Sequence, residues 1–373
     1  MQCFFCVLPV FLLWFCLCFF CGVFFLWRRL LQSHMPASRW LVVPLFVVSV
    51  IVRAQSPPPV APVETPPPFD EWLTAVRAEA IDRGISAQLV ERALGDIQPV
   101  EQILDRDRTQ TEFTLELDKY LERRLTTPTI RLARQMHAKH RSLLQRIQQQ
   151  YGVSSSVLVA VWGLESNFGR FSGVRPTIPA LVTLAYDPRR GAMFRDELFS
   201  ALRIVDRGDI ELERLKGSWA GALGQPQFMP SSYLEYAQDF DNDGRKDIWT
   251  SQADVFASIA FFLKEHGWAS GQPWGREVRV TAKIQKAILA IPRRDTGCRA
   301  RRLMTDPRPV NEWRKLGLLT RSGTPLGRSN TSASLVEAGK RTFLLYDNYE
   351  ALLGYNCAHS YALSVGLLAD RLR

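Results

Sequence analysis

A single glutamate stands among apolar residues in a segment of strong helical character. Glu165 follows Trp162 by three residues, Val161 by four and Leu158 by seven, so all four share one face of a helix. Burial on such a face raises the pKa of a carboxyl group, which suits a general acid that holds a proton near neutral pH. The alternative is structural, because a lone glutamate more often pairs with an arginine or caps a neighbouring helix.

Residues 217–233 combine small residues, aromatic rings and neutral polar groups. Trp219 and Phe228 offer flat apolar faces on which a sugar ring can stack. The groups that could hydrogen-bond to sugar hydroxyl and acetamido groups belong to Ser218, Gln225, Gln227 and Tyr233. Taken alone, the segment is explained equally well by a close contact between two helices.

Four motifs resemble, in order and spacing, the lytic murein transglycosylase B family, glycoside hydrolase family 103. They are residues 165–169 (Glu-Ser-Asn-Phe-Gly), 186–190 (Tyr-Asp-Pro-Arg-Arg), 217–221 (Gly-Ser-Trp-Ala-Gly) and 227–233 (Gln-Phe-Met-Pro-Ser-Ser-Tyr). The sequence around Tyr355-Asn356 and Tyr361-Ala362 is similar to the family's C-terminal motif. The resemblance implies a mainly α, lysozyme-like (α+β) catalytic domain, and short β-like runs predict a small mixed α/β insertion within it.

The resemblance also implies a reaction. The family cleaves the β-1,4 bond between N-acetylmuramic acid and N-acetylglucosamine in peptidoglycan and leaves a 1,6-anhydromuramyl end. Glu165 would be the single catalytic acid and base, without a cofactor, and the motifs supply no second carboxylate of the kind that an ordinary glycosidase needs. Asp187 would belong to the loop before an arginine pair that faces muramyl lactate or peptide carboxylates. The expected substrate-binding residues are Arg189, Arg190, Ser218, Gln227, Met229, Tyr233, Asn356, Tyr361 and, further upstream, Tyr120.

The acidic segment 239–247 resembles the start of an EF-hand calcium loop. Arg245 occupies loop position 7, and position 12 is Thr250 instead of glutamate, so Asp254 would have to complete the site. We predict an EF-hand-like loop that binds a structural Ca²⁺ ion, and a solvated acidic turn neutralised by Arg245 and Lys246 is the alternative. The carboxylates at positions 1, 3, 5 and 9 and the glycine at position 6 are Asp239, Asp241, Asp243, Asp247 and Gly244.

Five of the seven cysteines lie within the first 21 residues, which leaves Cys298 and Cys357 for the rest of the chain. This distribution excludes a disulfide-dense mini-protein and a four-cysteine zinc site in the body. In an exported protein we expect the two remaining cysteines to form a disulfide that ties the insertion to the last helix. Two separate buried thiols are the alternative.

Residues 1–54 are predicted to be a targeting segment. An apolar run at 3–27 is long enough to span a bilayer, and a second signal follows it. Arg39, a 13-residue apolar stretch and a small-residue cleavage pattern ending at Ala54 predict a signal peptide over 35–54, with Met35 as the start. We therefore expect a periplasmic protein, and an anchor formed by residues 3–27 is the alternative. A Pro-rich linker over 55–68 and a catalytic domain over 69–373 follow, with the insertion at about 270–350.

The formal net charge of the chain is +10 with histidines counted as neutral, and residues 1–54 contribute four arginines and no Asp, Glu or Lys, which leaves +6. Beyond short arginine pairs no basic patch is apparent, so the sequence does not predict a nucleic-acid partner. The expected partners are peptidoglycan glycan strands and enzymes of cell-wall synthesis, and the chain is expected to be a monomer. The alternatives are a non-catalytic, calcium-stabilised peptidoglycan-binding protein and a muramidase that hydrolyses the same bond.

Overall fold

The structure, a computed structural model, describes residues 67–108 and 116–372. The predicted signal peptide and most of the predicted linker lie outside these residues. The sequence also predicts a helix over about 112–125, and its first part lies outside them as well. Within the described ranges, no helix has both the length and the apolar character that crossing a membrane requires.

Helices dominate the order of elements. The helices are α1 (Phe69–Asp82), α2 (Ala87–Leu94), α3 (Glu101–Arg108), α4 (Leu117–Arg124), α5 (Thr127–Lys139), α6 (Arg141–Tyr151), α7 (Ser155–Ser166), α8 (Thr177–Tyr186), α9 (Gly191–Asp206), α10 (Pro230–Tyr236), α11 (Gln252–Glu265), α12 (Ala282–Leu289), α13 (Arg299–Arg302), α14 (Val310–Leu316), α15 (Asp347–Tyr355) and α16 (His359–Asp370). The strands are β1 (Arg175–Pro176), β2 (Lys216–Gly217), β3 (Gly275–Arg279), β4 (Arg308–Pro309), β5 (Leu319–Thr320), β6 (Ser332–Ala338) and β7 (Arg341–Leu345).

Helix α7 lies inside the helical body, where α5, α6, α11 and α16 pack around it. The sequence predicted an apolar stripe on this helix, but nine consecutive residues, from Ser156 to Leu164, are buried. A helix that is apolar on all sides belongs in the interior of a large domain. Within α7 only Ser155 and Glu165 are partly exposed, so the glutamate marks the point at which this buried helix reaches an opening.

Pro128 suits the first turn of a helix and Gly152 the end of one, so the sequence predicts a single long helix between them. The structure has two helices here, α5 and α6, which meet at His140. This residue has φ −101° and ψ 18°, outside the range of a regular helix. Its ring packs edge-on against Trp162 and Phe256, with centroids 5.8 and 5.6 Å apart. The break therefore lies where a ring enters the core, and Gly152 ends α6 in a left-handed conformation (φ 77°), at the residue where the sequence predicted an end.

The inserted segment forms one antiparallel sheet with the strand order β4-β6-β7-β3-β5. Alternate residues of β7 face opposite sides of this sheet. Leu344 packs with Ile284 of α12 and Trp313 of α14, whereas Phe343 and Leu345 join the core of the helical body. The sheet is thus a layer between two helices of its own and the body. This arrangement confirms the predicted fold class, a mainly α domain with a small mixed α/β insertion.

Covalent and ionic links join the insertion to the last two helices. Cys298 and Cys357 form a disulfide with Cα atoms 6.5 Å apart, which is the pairing that the sequence favoured. Glu350 of α15 accepts hydrogen bonds from Arg294 (2.5 Å) and Arg301 (2.8 Å). Because Cys357 lies between α15 and α16, these links help to position the C-terminal motif.

Candidate active site

Glu165 lies at the C-terminal end of α7, beside tyrosines from three other helices. The Tyr361 hydroxyl of α16 faces the Glu165 carboxyl group, and burial together with this carboxylate raises the pKa of Tyr361 well above its usual value. Burial and the same carboxylate raise the pKa of Tyr355. Tyr120 of α4 acts on Tyr361 in the same direction. The Tyr355 and Tyr361 hydroxyls therefore stay protonated at neutral pH, and the Tyr361 hydroxyl can donate a hydrogen bond to a charged glutamate.

Tyr355 connects the glutamate to the small-residue segment. Its ring stacks on Tyr361 with centroids 6.1 Å apart and an interplanar angle of 17°. Its hydroxyl donates a 2.7 Å hydrogen bond to the carbonyl of Pro226. The sequence placed Tyr355 in the C-terminal motif but did not include it among the substrate-binding residues. Its position in that motif was the available signal.

A tight turn ends α7 directly after the glutamate. Ser166 Oγ donates to the carbonyl of Trp162 (2.8 Å) and accepts from the backbone N–H of Gly169 (3.0 Å). Phe168 and Gly169 both have positive φ values, 60° and 77°. A Cβ atom on Gly163 would overlap the ring of Phe168, so only glycine allows this ring to fold back onto the helix. The first motif thus sets the position of the glutamate by backbone geometry.

Gln225 links α7 to the acidic loop. It is only 4% exposed. Its Oε1 accepts from Trp162 Nε1 (2.6 Å) and from Gln252 Nε2 (3.3 Å), and its Nε2 donates to the carbonyl of Trp249 (2.7 Å). The sequence offered Gln225 as an amide for a sugar. The structure corrects this prediction, because the amide is used inside the protein and fixes α7 relative to the segment after the acidic loop.

Several residues expected to line subsites are partly exposed, namely Ser218, Gln227, Met229 and Asn356. The Ser218 hydroxyl accepts the backbone N–H of Ala222 (3.1 Å) and so closes a turn. Gln227 has φ 55° and donates from Nε2 to the carbonyl of Gly224 (2.8 Å), which places its side chain close to its own backbone. Their contacts with a substrate stay predictions.

Two other residues of this segment are buried. Phe228 is 2% exposed, so it offers no open face for a sugar ring. Tyr233 is 1% exposed, and its hydroxyl donates to the carbonyl of Lys246 (3.2 Å). Its ring lies 5.6 Å from that of Trp249. The structure therefore contradicts the predicted substrate contact of Tyr233, because this side chain supports the acidic loop from within.

The arginine pair is held by two carboxylates. Arg189 donates from Nε to Asp187 Oδ1 (3.0 Å) and from Nη2 to Asp107 Oδ2 (2.9 Å), and Arg190 also binds Asp107. Hydrogen bonding to Asp187 and the charges of both aspartates raise the pKa of Arg189. The Arg190 guanidinium lies 5.0 Å above the ring of Phe194. The sequence does not indicate a role for Asp107, because α3 is far from the arginine pair along the chain.

Three carboxylates of the acidic region converge. Oxygen atoms of Asp239, Asp241 and Asp254 lie within 4.8 Å of one another. Asp254, at the start of α11, is fully buried, and each of its oxygens accepts a backbone N–H at 2.8 Å, from Phe240 and from Asp247. Burial, with the charges of Asp241 and Asp239, raises the pKa of Asp254 to about 6. This group of three carboxylates has the donor chemistry for a hard cation.

The other predicted ligands lie outside this group of three. Asp243 accepts the backbone N–H of Arg245 (2.8 Å), and Asp247 accepts those of Trp249 (2.9 Å) and Thr250 (2.8 Å). These two carboxylates shape the loop through bonds to its backbone. Of the six predicted ligands, which include Arg245 at position 7, the structure brings together three. These are Asp239 and Asp241, at loop positions 1 and 3, and Asp254, the residue predicted to complete the site.

The fold and the site define a class: a lysozyme-like, mainly helical domain in which one glutamate reaches an opening beside buried tyrosines. A family model described as the transglycosylase SLT domain matches residues 68–370. The chain therefore belongs to the SLT-domain transglycosylase family, which confirms the resemblance that its motifs indicated.

Membrane-bound lytic murein transglycosylase B of Escherichia coli (strain K12) is 31% identical over 236 residues, 62% of this chain and 60% of that protein. The chain thus spans about 60% of the length of this curated relative. SltB3 of Pseudomonas aeruginosa, solved in complex with NAG-anhNAM-pentapeptide, is 38% identical with a TM-score of 0.74, over 82% of this chain and 79% of that chain. Slt35 of Escherichia coli, solved in complex with calcium, is 25% identical with a TM-score of 0.67, over 80% and 92%.

Proposed function

We propose that this protein is a lytic transglycosylase that cleaves the β-1,4 bond between N-acetylmuramic acid and N-acetylglucosamine in peptidoglycan. The product would carry a 1,6-anhydromuramyl end. The observation that carries the proposal is Glu165, a partly exposed carboxyl group at the end of a buried helix and beside the buried hydroxyl of Tyr361. The similar SltB3, solved with NAG-anhNAM-pentapeptide, supports the choice of substrate and product.

Two carboxylates in or close to the motifs along the chain have partners within the protein. Asp187 binds Arg189, and Glu197 of α9 accepts both the backbone N–H (2.9 Å) and the hydroxyl (2.7 Å) of Ser231 at the start of α10. Both are engaged within the protein, which supports a mechanism without the second catalytic carboxylate that a hydrolysing glycosidase generally needs. One glutamate would therefore serve as acid and then as base.

The proposed reaction returns the proton to its origin. The protonated Glu165 donates its proton to the glycosidic oxygen as the bond between C1 and that oxygen breaks. The C6 hydroxyl oxygen of the same muramyl residue then attacks C1, and its proton passes to the Glu165 carboxylate. Between these steps the carboxylate is charged, and the Tyr361 hydroxyl is placed to donate a hydrogen bond to it. No water is consumed.

Mass spectrometry of the products from purified sacculi tests this function. We expect muropeptides lighter by one water than those released by a hydrolase, because the anhydro ring replaces the addition of water. Muropeptides with reducing ends would instead identify a muramidase. Binding to sacculi without any soluble product would identify the non-catalytic peptidoglycan-binding alternative. The substrate lies outside the inner membrane, in agreement with the predicted export of the chain.

We further propose that the acidic loop binds a structural Ca²⁺ ion through Asp239, Asp241 and Asp254. Three carboxylates within 4.8 Å repel one another, and a divalent cation among them removes this cost. Burial, with a smaller contribution from this repulsion, raises the pKa of Asp254. Slt35 was solved in complex with calcium, which supports the choice of ion. The ion would supply no chemistry to the reaction and would stabilise the loop that Gln225 connects to α7.

A melting experiment tests the calcium proposal. Because a ligand that binds only the folded state stabilises it, we expect millimolar Ca²⁺ to raise the melting temperature by about 5 °C relative to chelator. Asp254→Asn should remove the shift. Asp243→Asn, which changes a carboxylate outside the group of three, should retain most of it and is the matched control. Equal melting temperatures in calcium and chelator would contradict the site.

A further inference from the structure

Positive charge is concentrated in the insertion. Residues 270–350 contain sixteen Lys and Arg but only seven Asp and Glu, a formal net charge of +9. Residues 69–269 contain 25 Lys and Arg and 28 Asp and Glu, a formal net charge of −3. These cations are spaced along the insertion, so the sequence shows a net excess of positive charge there but no run longer than a short pair. Such charge asymmetry indicates a negatively charged partner.

The outer side of the insertion carries many of these cations. Helices α12 and α14 cover the side of the sheet that faces away from the helical body, and they bury apolar residues against it. The two helices approach each other where Ile284 lies against Gly317, since a Cβ atom on this glycine would be 3.3 Å from Ile284. The exposed cations of the two helices are Lys283, Lys286, Arg314 and Lys315.

Two large aliphatic side chains of the insertion are exposed. Leu289 is 63% exposed and Leu303 is 52% exposed. Lys286 precedes Leu289 by three residues, so the two are neighbours on α12. Arg293 donates from Nη1 to the carbonyl of Leu303 (3.0 Å). We define the cationic leucine strip as the exposed residues Lys283, Lys286, Leu289, Arg293, Arg302 and Leu303.

We propose that the cationic leucine strip binds the surface of an anionic phospholipid bilayer. Lipid phosphates attract the lysines and arginines, while the leucines enter the boundary between headgroups and acyl chains. An anionic glycan would pair with the cations but leave both leucines in water. Asp295 is exposed beside Arg293, the backbone of Asp306 is bonded to Pro292 next to Arg293, and Glu337 contacts α12 through Gln285 (3.4 Å). Four cations therefore face three carboxylates, and the strip stays positive.

This binding goes beyond the proposed reaction, because it needs neither Glu165 nor the residues around it. The strip lies in the insertion, whose sheet separates α12 from the helical body. Loss of lipid binding therefore leaves the chemistry at Glu165 intact, and the two functions can be tested separately.

Sedimentation with lipid vesicles tests the proposal, using residues 55–373, which include the whole compact unit from Pro62 onward. We expect binding to vesicles of phosphatidylcholine with phosphatidylglycerol, weaker binding at high salt, and little binding to phosphatidylcholine alone. Lys283→Glu with Lys286→Glu should weaken the binding by at least about tenfold. Leu289→Ser with Leu303→Ser should also weaken it, and this loss should persist at low salt because it removes apolar contact.

The matched control is Arg131→Glu with Lys139→Glu, which makes the same change of charge at exposed positions of α5 in the helical body. It should retain most of the binding. All variants should release soluble products from sacculi at the rate of the unchanged protein. Three results would each overturn the proposal: no binding of the unchanged protein to phosphatidylglycerol vesicles, equal losses in the strip and control variants, or binding that is insensitive to both leucines. The third result would indicate that the strip binds its partner through electrostatic attraction alone.

Discussion

Glu165→Gln is expected to reduce the release of anhydromuropeptides from sacculi by at least about a thousandfold while leaving the unfolding temperature nearly unchanged. In the proposed mechanism one side chain performs both proton transfers, so its loss would remove the acid from the first step and the base from the second. Glutamine has almost the same shape and can still accept a hydrogen bond from Tyr361. The change therefore removes the proton without removing the contacts at the end of α7.

The matched control for this variant is Glu211→Gln, the same change at an exposed position before the short helix Leu212–Arg214. It should retain full activity. Product release is followed by mass spectrometry, and folding by thermal unfolding and binding to sacculi. A Glu165→Gln protein that still releases anhydromuropeptides at a substantial fraction of the normal rate would remove this residue from the mechanism. A protein that binds sacculi but never releases product, even with Glu165 present, would favour the non-catalytic alternative.

The second large effect concerns stability. Replacing Cys298 and Cys357 together with serine is expected to lower the free energy of unfolding by about 3 to 5 kcal/mol, because the bridge spans 59 residues of sequence separation and restricts the unfolded chain. The ion pairs of Glu350 with Arg294 and Arg301 remain in this variant, so the insertion keeps part of its attachment. Urea unfolding of the oxidised protein and the double variant measures the difference.

A reducing agent provides the control for this experiment. Reductant should lower the urea midpoint of the unchanged protein toward that of the double variant, and it should have no effect on the double variant. If the two proteins unfold at the same urea concentration under oxidising conditions, the disulfide does not contribute to stability in solution.

The local features of the site were readable from the sequence. The motif at residues 165–169 combines a glutamate with a glycine, and Gly169 has the positive φ value that favours glycine after a helix. The charges and spacing of Asp239 and Asp241 pointed to a cation-binding loop, and they do converge with Asp254. Cys298 and Cys357 were the two cysteines left for the body of an exported chain, and they are paired. Residue type and short spacing carry such features because neighbours along the chain remain neighbours in the fold.

The contacts between distant segments required the tertiary structure. The sequence suggests that Gln225 is a sugar-binding amide. In the structure it is buried, and its amide is hydrogen-bonded to Trp162 and Trp249 inside the protein. The sequence predicts that Tyr233 contacts the substrate, yet its hydroxyl is hydrogen-bonded to the backbone of the acidic loop. An amide or a hydroxyl has the same chemistry in both roles, and only the packing around it decides which partner it meets.

The sequence by itself determined the family, the catalytic glutamate proposed for it and the mainly helical class, because motifs and periodicity are local properties of the chain. The tertiary structure decided that α7 is buried on all sides except near its ends, and that Tyr355 and Tyr361 converge on Glu165. It also decided which cations of the insertion are exposed, and that Leu289 and Leu303 are exposed as well. Burial and charge density are properties of surfaces, which exist only after segments far apart in the chain have packed together.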